Sequence, residues 1–519
     1  MHMFLNLIAF FCIVRLVILQ VQQSYDKIEY LPGYSNNISF NQYSGYLNGK
    51  SFRKLHYWFV ESQNNPKKDP LLLWMNGGPG CSSLDGLLSE LGPFHIKDKG
   101  DTLYNNPYSW NKVANVIFLE APAGVGFSYA EDNNYSFNDD EVSLDNYEAL
   151  KDFFQRFPQF SENELYITGE SYAGIYVPTL TVRILRDMPQ NGMNLKGFAI
   201  GNGLLSVTLN SQSILYFAYS HGIIGERLWR HILSNCCKTN VLYEEGPVSY
   251  KDVVISTCNF SIDTNPNCKA NLTEAWRMIF DIGLNDYSLY LPCDNDPSNE
   301  IFHKYLYSLH KTFPYSYENW VETANRNYYN YKFPPYSNEV NRRESFNQND
   351  LSANSIINET PPCIDASAMH RWLNKPEVRT ALHISDKAGM WDVCSQQVGD
   401  SYKSIYENMY PQFDYILNYE NGFGATDSRR DYKIRGLVYN GDTDLMCNFL
   451  GAQWFISNLN VTQEGKRIDW RYGKQVAGFV DYYDNLIFAT VKGAGHMVPQ
   501  WRPGQALHMI SKFLKNEPL

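Results

Sequence analysis

The sequence predicts an α/β protein with a mixed, mostly parallel central sheet, and three observations carry that expectation. Short apolar runs each end abruptly in a turn rich in Gly, Asn or Asp. Segments with apolar residues at helical spacing lie between them. A cysteine-rich stretch then interrupts the alternation between residues 204 and 362. Apolar runs bounded by turn residues are the pattern of buried strands, and strands alternating with helices favour parallel pairing.

In chain order, the run from Pro70 to Met75 (PLLLWM) stops at Asn76-Gly77-Gly78-Pro79-Gly80. A helical pattern follows over Ser143–Phe157, with apolar residues recurring at three and four. The run Glu164–Thr168 ends at Gly169, and Ile434–Tyr439 ends at Asn440-Gly441-Asp442. Leu486–Val491 leads into Gly493-Ala494-Gly495-His496, and a last helical pattern covers Gln505–Leu514. Within the interruption, Ile214–Ile223 and Leu228–Leu233 read as helices. Residues 325–358 are polar, rich in Asn and Tyr and contain Arg342-Arg343, which suggests an exposed excision segment.

The chain has 519 residues, beyond the size at which one hydrophobic core stops growing, and 44% of them are hydrophobic. The expected organisation is a core of residues 24–203 and 363–519, with 204–362 as an inserted, helical and cysteine-rich subdomain, which the resemblance given below implies to be a cap. With 44 basic and 55 acidic side chains, net charge is −11. That balance argues against nucleic acid as a partner, because phosphate neutralisation needs a basic surface.

Residues 4–19 are an apolar stretch broken by Asn6 and Arg15. It is short for a membrane span and Arg15 would sit inside it, so residues 1–23 are expected to be a secretory signal, with no stable membrane insertion. Six N-x-S/T sequons, at Asn37, Asn134, Asn259, Asn271, Asn358 and Asn460, agree with passage through the secretory pathway. Beyond the signal nine cysteines remain, at 81, 236, 237, 258, 268, 293, 363, 394 and 447. An odd count in an oxidising compartment implies disulfides and one leftover thiol, and the spacings do not suit a metal.

Gly169-Glu170-Ser171-Tyr172-Ala173-Gly174 follows a strand and precedes a helical run. That is the setting of a nucleophile elbow, in which a sharp turn lifts a serine hydroxyl above the sheet edge. A serine needs a base and the base an orienting acid. His496 follows the last strand, and either Asp442 or Asp444 follows the one before it. The order Ser, Asp, His is that of the α/β-hydrolase fold. Glycines in Asn76–Gly80 would let backbone N–H groups approach a substrate oxygen.

These segments together resemble the serine carboxypeptidases, most nearly their animal lysosomal members. The resemblance rests on WMNGGPGCSS (74–83), GESYAG (169–174), NGDTD (440–444) and GHMVP (495–499), and it spans the mature chain. It implies Ser171 as nucleophile, His496 as base and acid, and Asp444 rather than Asp442 as the third member. It places the oxyanion hole at the N–H groups of Gly78 and Tyr172. A clamp for the substrate's terminal carboxylate would be Asn76, Gly77, Glu90 and Glu170, and Asp85, Met446, Cys447 and Met497 would line the substrate pocket. The implied disulfides are Cys81–Cys394, Cys236–Cys268, Cys237–Cys258 and Cys293–Cys363. The substrate would be the C-terminus of a peptide or protein, cut at acidic pH, with hydrophobic residues preferred and no cofactor or metal required. A homodimer, association with other lysosomal hydrolases, and delivery to the lysosome or out of the cell are further implications. Acyl transfer to an alcohol and a purely protective, scaffolding role are the rival readings.

Overall fold

The computed structural model describes residues 25–97, 99–188, 190–237, 258, 260, 265–280, 282–293, 363, 365–419 and 433–519. The expected signal, the segment 325–358, and sequons Asn259 and Asn358 lie outside the described residues. Among the described residues thirteen strands run in order: β1 (Gln42–Asn48), β2 (Arg53–Val60), β3 (Leu71–Met75), β4 (Phe94–Lys97), β5 (Thr102–Asn105), β6 (Asn115–Leu119), β7 (Tyr129–Ala130), β8 (Leu165–Glu170), β9 (Leu195–Gly201), β10 (Arg435–Gly441), β11 (Gln463–Tyr472), β12 (Gln475–Tyr483) and β13 (Leu486–Val491).

The main sheet has the order β1-β2-β6-β3-β8-β9-β10-β13-β12-β11, with β7 on β2, while β4 and β5 pair separately. The pairings from β6 through β3, β8, β9 and β10 to β13 are all parallel. The flanks are antiparallel. Every residue of β3, β6 and β8 is buried, as expected of strands covered on both faces. Side chains alternate between two cores: Leu71, Leu73 and Met75 pack in one, and Leu72 and Trp74 in the other. The predicted runs sit on β3, β8, β10 and β13.

The predicted helix at Ser143–Phe157 spans Asp139–Arg156. It starts earlier because Asn138 and Glu141 form a capping box, a polar signal that apolar spacing does not register. The C-terminal helix is Pro503–Leu514. The hairpin β11–β12 was not anticipated. β11 is exposed at nearly every position, so it lacks the apolar alternation that marks a half-buried strand.

After Asn202 come the helices Val207–Ser220, Glu226–Cys236 and Pro266–Phe280. They build a third apolar cluster around Trp229, Ile232 and Ile279, which also takes in Leu445, Met446 and Met497. The structure joins Cys236 to Cys268, Cys237 to Cys258 and Cys293 to Cys363 around this region, and Cys81 to Cys394 in the core. Among the described residues Cys447 is the free cysteine and is buried. No described helix is long and apolar enough to cross a membrane. Of the described sequons, Asn37, Asn134 and Asn460 are exposed and Asn271 is partly buried.

Candidate active site

Strand register brings the candidate residues to one edge of the sheet. Met75 lies beside Gly169 on β3–β8, so the loop that follows Met75 adjoins the turn after β8. Tyr439 pairs with Gly201 on β10–β9, and Gly441 with Val491 on β10–β13. Ser171, Asn202, Asp444 and His496 therefore follow the C-terminal ends of four adjacent parallel strands, where open α/β sheets place their sites.

Ser171 has a φ of +63°, in the left-handed region that a non-glycine residue occupies only when its surroundings impose it. The turn is held from both sides. Ser171 N donates to Gly201 O at 3.1 Å, and Ser171 O accepts from Gly174 N and Leu204 N, both at 2.9 Å. A Cβ on Gly169 would fall 2.3 Å from Met75 O, so only glycine permits this approach. The helix Ala173–Arg186 then runs beneath the sheet. This is the strand–turn–helix geometry of a nucleophile elbow.

His496 Nδ1 lies 2.8 Å from Asp444 Oδ2, with both side chains nearly sealed from solvent. Asp444 also accepts from Met446 N at 3.0 Å, Cys447 N at 3.1 Å and Asn202 Nδ2 at 2.8 Å. Asn202 Oδ1 in turn accepts from Gly441 N at 2.9 Å, which ties β9 to β10 at the point where Asp444 emerges. The sequence reading missed Asn202: its role depends on which strand neighbours β10, and that is invisible in a single chain. The structure separates the two candidate aspartates. Asp442 accepts from Gly493 N at 2.6 Å and braces the histidine loop from its other end.

A second unanticipated element is the segment Asn285–Tyr290. Tyr287 O accepts from His496 N at 2.7 Å, and the two rings meet edge-on at 4.7 Å. Asp286 O accepts from Leu445 N at 3.0 Å. The Asp286 carboxyl is buried, and burial together with nearby Asp444 pushes it well above the ordinary range.

The Gly77–Gly78 loop presses against the elbow. A Cβ at Gly77 would sit 2.3 Å from Tyr172 N and 2.8 Å from Ser171 Cβ. Gly78 has a φ of +109°, and Cys81, which closes the turn by donating to Gly77 O at 3.1 Å, is disulfide-bonded to Cys394. Backbone N–H groups of this loop and of Tyr172 thus border the serine turn.

Beside them lies a buried acid pair. Trp74 Nε1 donates to Asn76 Oδ1 at 2.7 Å, which fixes the amide so that its Nδ2 reaches Glu90 Oε1 at 3.1 Å and Glu170 Oε1 at 3.0 Å. Gly86 makes this possible, since a Cβ there would meet Trp74 Nε1 at 2.2 Å. From sequence Trp74 was read only as part of the motif 74–83, and Gly86 was not singled out. Burial, then the charge of Asp85, push Glu90 up to about 8. Burial, then Glu90 and Asp85, hold Glu170 well above the ordinary carboxylate range. Asp85 itself is raised by burial and accepts from Ser89 Oγ.

The expected pocket residues divide. Met446 and Met497 pack in the cluster formed with the helices Val207–Ser220, Glu226–Cys236 and Pro266–Phe280, whereas Cys447 packs into the core on the elbow side. Burial, then Asp444 and Glu170, push the Cys447 thiol up. Among the described residues no group of three or more His, Cys, Asp or Glu side chains is arranged to hold a metal.

An elbow serine, a buried His–Asp pair and a glycine loop pressed against the elbow at one sheet edge define an α/β-hydrolase-type enzyme of the serine class. The serine carboxypeptidase family model (Peptidase S10) matches residues 32–516. The lysosomal protective protein of Mus musculus is 43% identical over 498 residues, covering 95% of this chain and 94% of its own. Serine carboxypeptidase ctsa-4.1 of Caenorhabditis elegans is 39% identical over 502 residues, covering 95% and 93%. Among solved structures, the prohormone-processing carboxypeptidase Kex1(delta)p of Saccharomyces cerevisiae shares the fold, with a TM-score of 0.65 at 22% identity over 95% of this chain and 96% of that one. The chain belongs to the serine carboxypeptidase family.

Proposed function

We propose that this carboxypeptidase releases C-terminal residues at acidic pH by an acyl-enzyme route through Ser171, His496 and Asp444. The Ser171 hydroxyl adds to the scissile carbonyl as its proton passes to His496 Nε2. Asp444 holds the Nδ1–H and favours the imidazolium. The oxyanion takes hydrogen bonds from Gly78 N–H and Tyr172 N–H. His496 returns the proton to the departing amine as the C–N bond breaks. Water then repeats the sequence on the acyl-Ser171 ester and frees the shortened peptide.

The observation that carries the exopeptidase reading is the Asn76–Glu90–Glu170 group next to the elbow. A carboxyl pocket would repel a substrate carboxylate if ionised. Kept neutral by burial, its acids donate hydrogen bonds to that carboxylate alongside Asn76 and Gly77 N–H. Binding is then tightest at acid pH and weakens as the pair ionises. The apolar cluster holding Met446 and Met497 supports a preference for hydrophobic residues on the acyl side. Exposed sequons and the similarity to a lysosomal protein support secretory delivery to a lysosome or out of the cell.

The test is release of free leucine from an N-blocked Phe-Leu dipeptide, measured from acid pH to well above about 8. Acid-favoured release that disappears in Ser171→Ala is expected. Release that persists in that variant would overturn the assignment.

A further inference from the structure

The Tyr172 side chain takes no part in the steps above, yet it ends on one of the most heavily bonded carboxylates in the molecule. Asp139, the first residue of the helix Asp139–Arg156, is fully buried. Its Oδ1 accepts from the phenols of Tyr172 and Tyr402, both at 2.8 Å. Its Oδ2 accepts from the backbone N–H groups of Ile405 at 2.7 Å and Tyr406 at 3.2 Å. Ser404 Oγ lies 2.6 Å from the Tyr172 phenol oxygen and closes the group. A carboxylate at a helix N-terminus is favoured there, and four donors converging on it make it a rigid anchor.

Tyr172 is tethered at both ends. Its backbone follows the strained Ser171, and its N–H lies against Gly77 with no room for even a methyl group between them. Its phenol is fixed on Asp139. We propose that Asp139 is a positioning residue that aims the Tyr172 N–H at the oxyanion by anchoring the far end of the tyrosine side chain. The inference rests on the site reading given above. A donor helps catalysis only when it points at the place where charge develops, so a loosened tether reduces transition-state stabilisation more than substrate binding.

Three variants test this. Tyr172→Phe removes only the phenol that reaches Asp139, and Asp139→Asn weakens the anchor itself. Each is expected to lower kcat about ten-fold, less than the loss of a whole oxyanion donor, with KM changed less than about two-fold. Affinity for a peptide aldehyde that forms a tetrahedral adduct should fall in parallel with kcat, and the double variant should be no slower than the worse single one. Tyr402→Phe deletes a hydrogen bond of the same length from the same oxygen, so it should lower Tm by a similar amount while leaving kcat intact. Equal loss of kcat in Tyr402→Phe and Tyr172→Phe, or unchanged kcat in Tyr172→Phe, would overturn the proposal. Ser171→Ala, run alongside, separates the failures: activity surviving there defeats the site reading itself, whereas a dead Ser171→Ala with unaffected Tyr172→Phe defeats only the anchor.

Discussion

Asp444 and the Glu90–Glu170 pair are about equally hidden from solvent, at 0%, 0% and 3% exposure, yet they are served very differently by their surroundings. Four donors converge on Asp444: two backbone N–H groups, the Asn202 amide and the His496 ring. A single Asn76 amide serves both glutamic acids, which among the described residues otherwise hydrogen-bond only to each other. Hydrogen bonds to the charged form of an acid favour it, and burial without them favours the neutral form. Donor supply, more than depth, therefore divides the labour on the two sides of Ser171. In the mechanism proposed above, the donor-rich side orients His496, and the donor-poor side, kept neutral by burial, receives the substrate carboxylate.

The largest expected effect comes from removing the charge on the well-served side. Asp444→Asn keeps the shape but turns the wrong tautomer of His496 toward Ser171, and kcat should fall by about 10⁴-fold with KM little changed. Steady-state kinetics on the blocked dipeptide at its optimal pH would show this. A loss of similar size in KM would mean that Asp444 shapes the binding pocket, and the contrast between the two acid sites would collapse.

The poorly served side predicts a smaller and pH-dependent effect. Glu90 is neutral below about 8 and ionises above it, so KM should rise as pH passes upward through that value, by up to about ten-fold per pH unit. Glu90→Gln cannot ionise, and its KM should lose that part of the rise while kcat retains its profile. A wild-type KM that is flat from acid to alkaline pH would break the account of the pocket.

What could be read from the sequence follows the range of the interactions concerned. Ser171, His496 and the Asn76–Gly80 loop are marked by local turn chemistry at strand ends, and that chemistry survives in a one-dimensional string. Asp442 and Asp444 could not be separated by the residues alone, because both follow the same strand. Only the third dimension shows one bracing Gly493 N and the other meeting His496. Asn202 acts across strands and Tyr287 reaches the histidine loop from a segment distant in sequence, so no spacing announces them, whereas Trp74 bonds Asn76 only two residues on and was read only as part of the motif 74–83. Gly86 looks like any loop glycine until the Trp74 ring is placed against it. The β11–β12 hairpin escaped because its outer strand has little apolar side to reveal.

The smallest effect is on stability, and its sign follows from the same asymmetry. An acid whose pKa is raised on folding contributes stability that is complete below its unfolded value and is lost as pH rises through the folded one. For Glu90 that window runs from the ordinary glutamate range up to about 8, and Glu170, Asp85 and Asp286 are shifted in the same direction. The exposed acids held low by lysine partners, Asp101 and Glu517, act oppositely below the ordinary carboxylate range, and His95 and His508, which burial holds below the ordinary histidine value, act oppositely up to about pH 6.5. Tm should therefore fall between about pH 6.5 and about pH 8, and fall less steeply in Glu90→Gln, in scans of the intact protein. A Tm that rises over this interval would show that the pocket acids are already ionised at acid pH. In that case the terminal carboxylate would have to be held by Asn76 and backbone N–H groups alone.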